Sequence, residues 1–165
     1  MLRPYFFKKL NCYNNSITEF TITNRHLPHW QSPNSIYFIT TRCVKGMDLT
    51  PEHRDIVVNS IQYLDGKKHV LYAAVILPDH FHLIIQPMEK GKDPYYSLSE
   101  IMHGIKSFTA HTIGKPLWQH ENFDRIARDK EELFEKIKYM MKNPVKAGLV
   151  EDYNTYKWLF YIGKE

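Results

Sequence analysis

His80 and His82 stand one residue apart in the run Pro78-Asp79-His80-Phe81-His82-Leu83-Ile84-Ile85-Gln86-Pro87. Leu83, Ile84 and Ile85 favour a strand, and prolines close both ends of the segment. Strand side chains alternate between faces, so both imidazoles emerge together while Phe81 and Leu83 point the other way. Two imidazoles on one strand face can close on a single metal ion. Two ligands do not complete a site, so the pair alone also suits a structural role.

A phenol and an amide form the second candidate group. Asp129-Lys130-Glu131-Glu132 caps a helix that runs up to Asn143-Pro144. At about 100° per residue, Leu133, Phe134, Ile137, Met140 and Met141 fall on an arc of roughly 100–120°, the expected core stripe. Tyr139 lies almost opposite that arc, with Asn143 one turn further on. An aromatic residue on the polar side of an amphipathic helix calls for a reason beyond packing. Lys136, Lys138, Lys142 and Lys146 crowd the end of this helix with no acid between them, a suitable place for a phosphodiester. The structural alternatives are a solvated lysine face, a tyrosine packed on a loop, and an asparagine that ends the helix before proline.

Other elements must position these groups. Ser35 to Arg42 alternates Ile36 and Phe38 against Tyr37 and Ile39, which predicts the first strand. Thr50-Pro51-Glu52-His53 starts a helix, with Ile56, Val57, Ile61 and Leu64 at helical spacing up to Asp65-Gly66. His69 to Leu77 reads as a covered strand, and Pro78-Asp79 turns it into the histidine strand as a hairpin. Ser97-Leu98-Ser99-Glu100 opens a second helix to about Ile113, with Leu98, Ile101, Ile105 and Phe108 on one side. Leu117 to Ala127 contains short extended pieces. The order strand, helix, strand, strand, helix, strand predicts an α+β, ferredoxin-like (RRM-like) βαββαβ sandwich with an antiparallel sheet. The additional C-terminal helix would cover part of the other sheet face.

The 165 residues suit one domain able to bury its own core, and 43% hydrophobic with 14% aromatic residues excludes a disordered chain. We expect residues 1–34 to form an extended arm packed on a single domain of residues 35–165. Lys and Arg number 22 against 18 Asp and Glu, a formal charge of +4. That tilt is compatible with nucleic acid but does not select it. Cys12 and Cys43 lack metal or redox spacing and read as free thiols. No apolar run approaches the roughly 18 residues of a spanning helix, and Met1 to Lys9 lacks an apolar signal region. The expectation is a cytoplasmic protein with no membrane partner.

Pro78-Asp79-His80-Phe81-His82-Leu83-Ile84 resembles the HUH motif (His, hydrophobic, His) of the single-tyrosine HUH transposases. The run from Tyr139-Met140-Met141-Lys142-Asn143-Pro144 to Val150 resembles the catalytic-helix signature of their REP-associated branch. Ser97 to Met102, Ile105 to Thr109, Leu117-Trp118-Gln119, Phe123-Asp124-Arg125 and Arg25 to Trp30 match that branch in the same order. The resemblance covers about residues 25–158.

What it implies agrees with the residue chemistry. His80, His82 and Asn143 would hold Mg²⁺ or Mn²⁺, which polarises the scissile phosphate of single-stranded or hairpin DNA. Tyr139 would be the nucleophile, forming a 5′-phosphotyrosine link and releasing a 3′-hydroxyl. A phenol ionises near about 10, so metal and lysines are needed to favour the phenolate. Arg25, Arg42, Lys106, Arg125, Lys142 and Lys146 are expected phosphate contacts, and Trp30, Tyr37, Trp118 and Phe123 expected stacking platforms for unpaired bases. Insertion-sequence relatives place Gln where Asn143 stands, while the REP-associated branch has Asn. His120 and Glu121 are candidate extra ligands, against a simpler reading as groove-shaping loop residues. The assembly is a monomer or a homodimer, with the tyrosine helix working in cis or in trans. Two other function classes stay open: a ferredoxin-like module that holds hairpin DNA or RNA without cutting, and a metal-dependent hydrolase that uses water.

Overall fold

Each of the three α-helices among the described residues begins at a side chain that accepts from the backbone three residues on. The computed structural model describes residues 34–91 and 95–162. The expected arm, with Cys12, Arg25 and Trp30, lies outside these residues save for Asn34. Thr50 Oγ1 accepts from His53 N at 3.2 Å and opens α1 (Pro51–Leu64). Ser97 Oγ accepts from Glu100 N at 3.0 Å and opens α2 (Leu98–Ile113). Asp129 Oδ1 accepts from Glu132 N at 2.7 Å and opens α3 (Lys130–Lys146). Each cap occupies a backbone donor that the first helical turn leaves unpaired.

Among the described residues, five strands form one antiparallel sheet: β1 (Ile36–Arg42), β2 (His69–Ile76), β3 (His80–Pro87), β4 (Phe123–Ala127) and β5 (Leu159–Tyr161). Their spatial order is β4-β1-β3-β2-β5, so the first four give the ferredoxin-like arrangement and β5 extends the β2 edge. The β2–β3 hairpin closes through Pro78-Asp79, with Leu77 N donating to His80 O at 2.8 Å. β5 has only three residues, too few for an alternating signal, and a clasp helps to fasten it. Arg54 of α1 donates through Nη1 to the Tyr156 hydroxyl at 3.0 Å and lies 3.8 Å over the Trp158 ring. That hydroxyl in turn donates to Ile76 O.

The pleat divides the core in two. Phe81, Leu83, Ile85, Tyr37 and Ile39 face α1 and α2, meeting Val57, Ile61, Ile101 and Ile105. Phe38, Ile84 and Val75 face α3 and meet Leu133, Ile137 and Met140. Phe81 is fully buried, its ring edge-on to Trp118 at 5.0 Å. Phe81→Ala is expected to cost about 3–5 kcal/mol through lost burial and the cavity left behind, read as a lower urea midpoint.

Three helical expectations need correction. Phe108 and Phe134 are exposed; Thr109 on α2 and Pro144 on α3 take buried places instead. Asn143-Pro144 does not end α3, which continues to Lys146. A proline there still lacks its backbone donor, but it is buried, and Ala147 N and Leu149 N bond back to Asn143 O and Pro144 O. The buried arc is Leu133, Ile137, Met140 and Pro144, and with Phe134 outside it the arc lies closer to Tyr139. Tyr139 is consequently on the flank of α3 and not opposite its core face. Leu117 to Ala127 gives one strand, β4, and an isolated bridge between Trp118 and Cys43.

Candidate active site

β1 and β3 are central neighbours, and their register sets Thr40 opposite His82 and Arg42 opposite His80. All four residues lie on the sheet face that α3 covers. His80 and His82 meet edge-on with ring centroids 4.8 Å apart. His80 Nδ1 lies 2.6 Å from Asp79 Oδ1, and His82 Nδ1 lies 2.8 Å from Thr40 Oγ1. His82 also stacks on Phe38 at 5.2 Å. Burial, with the nearby His80 and Arg42, pushes the His82 pKa down to about 3, which keeps the imidazole neutral near neutral pH.

α3 brings the phenol to this strand pair. Tyr139 is 44% exposed, yet its ring meets His82 at 5.6 Å and Phe38 at 6.2 Å between centroids. The helical period aligns Lys136, Tyr139, Asn143 and Lys146 on the same flank. Lys146 Nζ lies 5.9 Å from the Tyr139 ring centroid and Lys136 Nζ 5.3 Å from that of Phe38. The arrangement joins a phenol, two imidazoles and two lysine ammonium groups on one side of the sheet.

The donor set fits a divalent cation. His82 Nε2 is buried with no hydrogen-bond partner, and so is Asn143 Nδ2; rotating the amide by half a turn exchanges its nitrogen for its oxygen. An unpaired imidazole nitrogen beside a second imidazole is suited to ligation. Among the described residues no three His, Cys, Asp or Glu side chains gather at one point. A third protein ligand would therefore be an amide such as Asn143, and His120 and Glu121 do not complete a cluster.

The other expected contacts divide. Arg42 sits across from His80, and its charge acts on both His82 and Asp79. Arg125 lies across from Phe38, with its Nε 3.1 Å from Glu132 Oε1, and Phe123 stands exposed across from Thr40. Lys142 and Lys146 are exposed on α3. Lys106 is used elsewhere: its ammonium donates to Gln119 O, His120 O and Asn122 Oδ1. Trp118 packs on Phe81 and donates to Thr109 Oγ1 at 2.8 Å, behind the sheet from the histidines. Tyr37 is buried on that same far side. Lys136 is expected only as part of the basic stretch of this helix and not as an individual phosphate contact, although its place three before Tyr139 marks it. Thr40 carried no sequence signal, because only strand register brings it to His82.

Acid should weaken the metal-free fold through His82. Its folded pKa of about 3 lies below the ordinary 6.5, so the unfolded chain binds the proton first as pH falls. The contribution is intact above about 6.5, declines below it and is exhausted near about 3, a total of roughly 3–5 kcal/mol. The urea midpoint should drop more between about pH 7 and about pH 4 than that of His82→Gln. Parallel curves would show that the ring is not held neutral by burial.

No family model and no curated protein matches this sequence. Among solved structures, the chain is similar to a REP-associated tyrosine transposase solved bound to a REP hairpin. The TM-score is 0.69 at 20% identity, over 84% of this chain and 82% of that one. A candidate transposase of Deinococcus radiodurans R1 gives 0.46 at 14% identity, over 74% of this chain and 97% of that one. That second likeness is too remote to support an argument. The chain has the fold of a REP-associated tyrosine transposase.

Proposed function

We propose that this chain is a DNA strand transferase of the REP-associated tyrosine type, which nicks and rejoins single-stranded DNA beside hairpins. The contact between Tyr139 and His82 carries this reading: nucleophile and ligand come from one chain, their ring centroids 5.6 Å apart. Residues 35–165 would be the catalytic domain, a monomer would suffice, and the cytoplasm is the fitting compartment. No described helix is long and apolar enough to cross a membrane.

Arg42, Arg125, Lys136 and Lys146 hold the phosphates of the bound strand on that side of the sheet. Tyr139 Oη attacks the scissile phosphorus in line, and the bond from phosphorus to the 3′ oxygen breaks. The phenol proton ends on the departing 3′-hydroxyl, while the 5′ phosphate stays on Tyr139. One diester replaces another, so a later 3′-hydroxyl can reverse the exchange without an outside energy source. His80, His82 and Asn143 would hold Mg²⁺ or Mn²⁺, which when bound supplies Lewis-acid polarisation of a phosphate oxygen.

The test is a set of end-labelled single-stranded hairpin DNAs incubated with the protein and Mn²⁺, then run under denaturing conditions. The expected product is a protein–DNA adduct containing the fragment 3′ of the cut, with a free 3′-hydroxyl on the other fragment. An adduct with the opposite fragment overturns the proposed polarity. Binding without an adduct on any hairpin overturns the transferase reading and leaves a binding module.

A further inference from the structure

We propose that Asp79 and Thr40 are positioning residues that lock both imidazoles with the proton on Nδ1, so that both Nε2 lone pairs face one divalent cation. The purpose of the lock rests on the metal-site reading given above. The lock itself rests on hydrogen-bond chemistry.

An ionised carboxylate only accepts. With Asp79 Oδ1 at 2.6 Å, His80 must donate from Nδ1, and its neutral ring then keeps the lone pair on Nε2. Thr40 can accept or donate, so the 2.8 Å contact at His82 does not by itself choose a tautomer. The far nitrogen chooses it. His82 Nε2 is buried without a partner. A proton there would create a buried, orphaned N–H, which folded proteins avoid more strictly than an unpaired acceptor. The proton therefore belongs on Nδ1, with Thr40 Oγ1 accepting.

Both anchors are set by the sheet and not by α3. Asp79 occupies the two-residue turn of the hairpin, held by Leu77 N to His80 O and by Cys43 N to Asp79 O, each 2.8 Å. Thr40 is fixed by its register with His82 on adjacent central strands. The two ligands are thus aimed before Tyr139 or DNA engages. The anchors also match their depth: the charged Asp79 side chain is 59% exposed at the rim, while neutral Thr40 serves the buried ring. A second carboxylate at that depth would add a desolvated charge.

Long-range ¹H–¹⁵N correlation spectra of the metal-free protein read the tautomers directly. Protonated Nδ1 and bare Nε2 on both rings are expected; Nε2–H on either ring overturns the lock. Mn²⁺ titration by calorimetry supplies the second readout. Asp79→Asn offers a donor as well as an acceptor, and Thr40→Val offers neither. Each should weaken Mn²⁺ binding by about 10- to 100-fold. Thr40→Ser restores the hydroxyl and should recover most of the affinity. Should Thr40→Val fail to fold, Thr40→Ser and the rim variant Asp79→Asn still decide the matter. Unchanged Mn²⁺ affinity in Asp79→Asn, with the His80 tautomer unchanged, overturns the proposal. Correct tautomers in an unaltered protein that takes up neither Mn²⁺ nor Mg²⁺ support the lock but overturn the metal-site reading.

Discussion

Tyr139→Phe should abolish the covalent DNA adduct and lower strand cleavage by on the order of 10⁴-fold or more, as loss of a nucleophile does elsewhere. The substitution removes one oxygen and keeps the ring. The edge-on contacts with His82 at 5.6 Å and Phe38 at 6.2 Å are ring contacts and should persist. Tyr139 is also 44% exposed, so folding stability should change by less than about 0.5 kcal/mol. Hairpin affinity, proposed to rest on cations such as Arg42, Arg125 and Lys146, should remain in a gel-shift assay. Retained binding with lost cleavage is the expected signature. Cleavage at the original rate in the Phe variant would sink the nucleophile and favour attack by water at the same site.

His82→Ala should have the next largest effect, because it strikes the proposed cation site and not the proposed nucleophile. Lewis-acid stabilisation of a phosphoryl transition state is worth several kcal/mol, so its loss corresponds to about 10³-fold or more in rate. A separate readout needs no DNA. Saturating Mn²⁺, at about 100 times its dissociation constant, should stabilise the unaltered protein by about 2.7 kcal/mol and raise its melting temperature by about 5–10 °C. His82→Ala should lose that shift. His82 is 4% exposed and stacked on Phe38, so a purely structural histidine would instead show a lower melting temperature and no Mn²⁺ response in either protein.

Much of this arrangement was legible because it depends on local periodicity. The two-residue alternation from His80 to Leu83 puts both imidazoles on one face whatever the sheet order. Helix starts at Thr50, Ser97 and Asp129 were legible because a cap is a contact across three residues. Elements with little local signal were harder. β5 has three residues and depends on Val75 and Ala73 for pairing, and on the Arg54 clasp from α1. Phe108 and Phe134 fitted an apolar helical pattern but are exposed, since periodicity fixes the angle between residues and not which arc meets the sheet.

The sequence by itself determined the chemistry available: two imidazoles on one strand face, a phenol and an amide one helical turn apart, and lysines about them. Those relations follow from bond geometry within single elements and survive any packing. Tertiary structure alone decided which groups share the site. Antiparallel register brought Thr40 to His82 and Arg42 to His80, whereas Lys106 and Trp118 were drawn behind the sheet by bonds to Asn122 and Thr109. With Phe134 left exposed, the buried arc of α3 lies closer to Tyr139, whose ring meets His82. A helix offers several rotations of similar local energy, and only the area it buries against a particular sheet selects one.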